Sequence, residues 1–164
     1  MVVSKSGTRR VVTGPNTILL NYDETLEALT LSTGKPKTTD KLLTTCYLRV
    51  INNKISDTVD VETADHVKVN IKLSLCVDFE GPSEKWFDVE NYVKFLTDHV
   101  RSMLKGAVKK VSCRNFYQNY LTLVRDTILG AKTEGKARDG LFFAQNGMRV
   151  TEVEVLEHTI LDKD

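Results

Sequence analysis

A chain of 164 residues is enough for one domain with its own core, and 41% hydrophobic with 27% charged residues excludes wholesale disorder. Lysine plus arginine (23) nearly equals aspartate plus glutamate (22), so at a formal charge of +1 no overall field draws in nucleic acid or an anionic membrane. The three cysteines, Cys46, Cys76 and Cys113, are thirty or more positions apart, which fits reduced thiols in a cytoplasmic setting better than a disulfide framework. Lys5, Arg9 and Arg10 have no apolar run behind them, so the start of the chain does not read as a secretory signal. No apolar run approaches the ~20 residues that span a bilayer.

In chain order, Val11–Thr13 reads as a short strand stopped by Gly14-Pro15, and Thr17–Tyr22 as a second apolar run. Leu26–Ser32 reads as a third strand with apolar groups on both faces, followed by a turn-rich loop to Asp40. Leu42–Ile51 predicts a long strand. Asn52–Lys54 marks a turn, and Ser56–Thr63 continues as strand. The clearest period follows: Val67, Val69, Ile71, Leu73, Leu75, Val77 and Phe79 alternate with polar positions, predicting a long strand with one face on a core and the other in water.

After Gly81-Pro82 the spacing becomes helical. Tyr92, Leu96, His99, Val100, Met103, Leu104 and Val108 recur at three- and four-residue steps, with Asp88 or Asn91 as a cap. Gly106 inside this helix predicts close packing by a neighbouring element. A second helix is expected from near Arg114 to Leu129, with a stripe of Tyr117, Leu121, Val124 and Ile128, Ser112 as cap and Gly130 at its end. Asn146-Gly147 predicts a turn before a last strand from Met148 to Leu156.

Glu62, Asp65 and His66 place two acids beside a histidine, but they follow one another in a turn, whereas acid–base catalysis needs groups converging from different elements. His99 and His158 stand apart, no cysteine joins them at ligand spacing, and the glycines make no phosphate-binding loop. No catalytic, cofactor-binding or metal residue is therefore assigned. Arg101, Lys105 and Lys109, four apart, continue into Lys110 and Arg114 as a basic stripe, the candidate interaction face. It would dock onto an acidic surface of a neighbouring subunit, or onto lipid headgroups. Interleaved aromatics for base stacking are absent from it, so direct nucleic-acid binding is not expected.

Several segments together resemble the shoulder-domain family of major vault proteins, in the stomatin/prohibitin/flotillin/HflK-C (SPFH) fold group. The most specific is Val61-Glu62-Thr63-Ala64-Asp65-His66 ahead of the long alternating strand. It is supported by Arg10–Pro15, Leu29–Lys37, Lys105-Gly106-Ala107-Val108, Phe116, Ile128–Gly130 and Val150–Val155. The resemblance implies an α+β domain, an antiparallel β-sheet packed against two or more helices, with residues 1–164 as a single shoulder-type unit. It implies a structural, non-enzymatic role in a large ribonucleoprotein-type particle, with copies of this chain as lateral partners and no cofactor. On this reading the repeat units of the particle wall and the long helix of its cap fall outside the chain. The alternative is an adaptor of the same fold group that binds lipid or protein through the basic helix face.

Overall fold

Alternation of apolar and polar side chains builds the centre of this protein, as seen in a computed structural model that describes residues 1–161. The strands are β1 (Val2–Ser4), β2 (Arg9–Arg10), β3 (Glu24–Leu26), β4 (Leu29–Ser32), β5 (Leu42–Thr45), β6 (Asn53–Glu62), β7 (Lys68–Phe79), β8 (Leu141–Phe143) and β9 (Met148–Ile160). A 3₁₀ turn (Ser83–Phe87) leads to helices α1 (Tyr92–Val108) and α2 (Cys113–Leu129). All pairings are antiparallel: a sheet in the order β2-β1-β3, a β4-β5 pair, and a four-stranded sheet β6-β7-β9-β8. The fold is thus mixed α+β, as the sequence predicts.

β7 is the central strand. Val69, Ile71, Leu73, Leu75 and Val77 are each at most 1% exposed, and each such side chain contributes about 1.5–3 kcal/mol on burial. A one-residue slip would send all five into water, so the register is fixed by that face. Ile55, Val59 and Val61 of β6 and Met148, Val150 and Val153 of β9 extend the same surface, and Leu96, Val100, Leu104 and Val108 of α1 cover it. Phe116, Val124 and Ile128 of α2 complete the layer. The other sheet face carries Lys68, Asn70, Lys72, Ser74, Cys76 and Asp78, none of them buried.

Asn91 is the cap of α1, its side-chain oxygen accepting from the Lys94 N–H. Ser112 caps α2, accepting from the Asn115 N–H at 3.4 Å. The last strand runs on to Ile160, pairing with β7 down to Val69.

Several sequence expectations differ from the structure. Val11–Thr13 and Thr17–Tyr22 are not strands: the first strand of that region is Arg9–Arg10, and Leu19 and Tyr22 are more than nine-tenths exposed. Leu26–Ser32 is two strands, because Glu27 donates its N–H to the Met1 carbonyl and the chain passes from one sheet to another. Only Leu42–Thr45 of the expected Leu42–Ile51 strand finds a partner, β4. In α2, Phe116 takes the core position expected for Tyr117, and Tyr117 and Leu121 are exposed. Asn119 leaves the helical region there (φ −129°, ψ 17°), between Phe116 and the expected core positions Val124 and Ile128. His99 is exposed, its ring edge-on to Phe143 at 5.2 Å. Nothing lies within 4 Å of a Cβ built at Gly106, so no neighbour packs there.

Candidate interaction face

The five cations of the predicted stripe do different things. Arg101 turns inward, its Nη2 donating to Asp57 Oδ2 at 3.0 Å and its Nη1 to Asp98 Oδ1 at 3.3 Å. Asp57 is 2% exposed and sits at an inward position of β6, between Ile55 and Val59. Its other oxygen accepts the Lys37 N–H at 2.9 Å. A carboxylate held in the apolar layer needs such partners, so Arg101 acts as the anchor of α1 on β6 and is not free to meet a ligand.

Lys105 and Lys109 remain on the surface. With Asp60, Val61, Glu62 and Lys68 they line a depression of about 280 Å³ between the end of α1 and the margin of β6. Lys109 Nζ lies 4.0 Å from Glu62 Oε1. Lys110 and Arg114 are exposed, with no ion pair among the described residues. Three of the five, Lys105, Lys110 and Arg114, thus keep charges that nothing within the described residues neutralises.

The acid–histidine segment is structural in its geometry. His66 lies in the left-handed region (φ +64°) of the turn between β6 and β7, its Nδ1 2.6 Å from Glu62 Oε1. That contact, then Lys109, holds the Glu62 carboxyl below the usual range. Asp65 points elsewhere. It accepts the Thr63 hydroxyl and the Cys113 N–H, the latter at 2.9 Å, so it caps the first turn of α2, and these bonds hold its carboxyl low. Burial and then the Asp65 charge push the Cys113 thiol up, away from the thiolate a nucleophile requires. Glu62, Asp65 and His66 therefore do not converge on one cleft.

Among the described residues no group of three or more His, Cys, Asp or Glu side chains could hold a metal ion. No helix among them is long and apolar enough to cross a membrane. His158 is packed among aromatic rings, 4.2 Å from Tyr120 and 5.0 Å from Tyr117.

Sequence reasoning passed over Asp57 and the second role of Asn91. The signal for Asp57 was present: it occupies an apolar-parity position in Ile55-Ser56-Asp57-Thr58-Val59, where only a partnered charge is tolerated. Asn91 accepts the Ser32 N–H at 3.0 Å and donates to Ser32 Oγ at 2.9 Å, joining the start of α1 to β4. No local pattern announces that bond.

Residues 51–162 match the family described as the shoulder domain of major vault proteins. The chain belongs to that family. Directly ahead, residues 3–48 match the major vault protein repeat domain. Arg10–Pro15 and Leu29–Lys37, quoted above for the shoulder resemblance, fall within that repeat match and outside the shoulder match. Among curated relatives, the major vault protein of Strongylocentrotus purpuratus is 30% identical over 153 residues and that of Diplobatis ommata 33% over 153. The Bos taurus major vault protein is 31% identical over 163 residues. These alignments cover 89% of this chain, which spans only 18% of the relatives' length.

Proposed function

We propose that this chain is a structural, non-enzymatic module of a large cytoplasmic ribonucleoprotein-type particle, placed side by side with copies of itself. The succession of a repeat match and a shoulder match in one short chain carries this reading. Residues 1–164 act in it as one unit, supported by a core in which Met1 and Leu29 join Leu96 and Val100. The four-stranded sheet with two helices on one face also fits the stomatin/prohibitin/flotillin/HflK-C fold group. Lys105, Lys109, Lys110 and Arg114 form its interaction face, with Arg101 holding the helix beneath them. Its partners are neighbouring protein subunits; the acids next to Arg101 and Lys109 break up the one-signed field that lipid headgroups or nucleic acid would require.

The test is a chimera in which this chain replaces the matching segment of the Strongylocentrotus purpuratus relative, with assembly scored by negative-stain electron microscopy. Regular multi-copy particles are expected. A folded chimera that stays as single chains, while the parent assembles, overturns the reading.

A further inference from the structure

The four-stranded sheet ends in two open margins. Among the described residues β6 pairs only with β7, and β9 beyond Val150 pairs only with β7. An unpaired strand of that length is a template for another chain unless it is blunted. Because β6 and β9 are both antiparallel to β7, they run in the same direction on either side of it, β9 forming the margin beyond the short stretch that pairs with β8.

The registers set their relative height. Lys54 and Glu152 both stand opposite Cys76, from either side, so they lie at one level of the sheet. Both are exposed, on the face away from the helices, and neither has an ion pair among the described residues. Two residues on, Glu154 is also exposed and has no ion pair among the described residues. The acids of the β6 margin lie six and eight residues along the strand from Lys54: Asp60 accepts from the Asn70 amide, and Glu62 faces His66 and Lys109. At this level one margin thus presents a cation, Lys54, and the other the carboxylates of Glu152 and Glu154, a charge match that a head-to-tail contact between identical copies can use.

We propose that the β9 margin of one copy docks on the β6 margin of the next, strand beside strand and parallel, with Glu152 against Lys54 of the neighbour. This rests on the side-by-side reading above and adds to its basic face a strand contact between copies. The contact is heterologous, so each copy keeps one margin open for a further copy. Register shifts at Lys72/Leu73 and Cys76/Val77 mark bulges that bend β9 and confine close pairing to short stretches. Arg125, whose Nε reaches the Val153 carbonyl at 3.4 Å, swings aside where the strands meet.

Hydrogen–deuterium exchange of this chain, followed up to about millimolar concentration, tests the assignment. Concentration-dependent protection is expected over residues 53–57 and 152–155. Lys54→Glu and Glu152→Lys should each weaken association about tenfold, and the double exchange of charges should restore it. Association that persists with protection elsewhere, or that ignores the reversals, overturns these margins and leaves lateral assembly standing. Absence of concentration-dependent protection anywhere overturns both.

Discussion

Arg101 Nη2 and Asp57 Oδ2, 3.0 Å apart, tie the exposed side of α1 to a carboxylate inside the sheet layer. The pair joins two elements 44 positions apart in the chain, one end 23% exposed and the other almost fully covered. Breaking such a pair from one side is costlier than removing it whole, because the remaining charge is stranded. Arg101→Ala should therefore lower unfolding stability by about 3–5 kcal/mol, read from urea midpoints. Asp57→Asn with Arg101→Met should lose clearly less than Arg101→Ala alone. Equal losses would show that Arg101 contributes only through its aliphatic stem.

Asn91 is both a helix cap and a bridge to the repeat-matching part of the chain. Asn91→Ala removes an acceptor for the Lys94 N–H and both bonds to Ser32, which is only 3% exposed. The cap alone is worth about 1 kcal/mol, and the two further bonds bring the expected loss to about 2–3 kcal/mol. Ser112→Ala, which removes a single cap bond, should cost less than half of that. Amide exchange should separate the two: Asn91→Ala loosens β4 and β5, whereas Ser112→Ala loosens only the first turn of α2.

The carboxyl of Asp65 is held low by the Thr63 hydroxyl and then by the Cys113 N–H. Its unfolded counterpart takes up a proton at the ordinary aspartate value of about 3.9. In acid the unfolded chain thus binds the proton first, and the stabilisation, complete above that value, drains away as pH falls through the lower folded pKa. Glu24, held low by Arg10, and Glu157, held low by Lys72, act in the same direction. Urea midpoints should fall between about pH 5 and pH 2, more shallowly in Asp65→Asn, which keeps an oxygen for the cap but does not titrate. An unchanged slope would place the acid sensitivity in the other carboxylates.

What could be read from the sequence depended on how much of an element's environment its own neighbours encode. β7 was legible because six consecutive inward positions are apolar and the intervening ones are not. The helices were legible for the same reason, although in α2 the first core position is Phe116 where Tyr117 was expected, ahead of the non-helical Asn119. The first 48 residues were not. Their strands are two to four residues long and take partners from separate sheets, and Leu19, Leu20 and Tyr22 show their side chains to water. In the candidate face, spacing set five cations in a row along α1 and its exit, but it could not show that Arg101 turns toward β6, since its acid comes from another strand.

Two glycines should respond oppositely to alanine. Gly106 lies within α1 with open space where a Cβ would go, and its backbone is helical. Gly106→Ala removes unfolded-state freedom without a clash and should stabilise by about 0.5–1 kcal/mol. Gly147 turns the chain into β9 at φ +73°, and a Cβ there would sit 2.1 Å from the Glu80 carbonyl oxygen. That carbonyl is backbone. The Glu80 N–H donates to the Gly147 carbonyl at 2.7 Å, and the Gly147 N–H to Phe143 at 2.9 Å, so the turn cannot open without losing both bonds. The left-handed conformation alone costs alanine about 1–2 kcal/mol, and the clash adds to it. Thermal melts of the two variants should move in opposite directions from the parent. A destabilised Gly106→Ala would mean that the outer face of α1 is covered in solution, and mixing it with the parent chain in a sedimentation experiment would show whether a second copy does the covering.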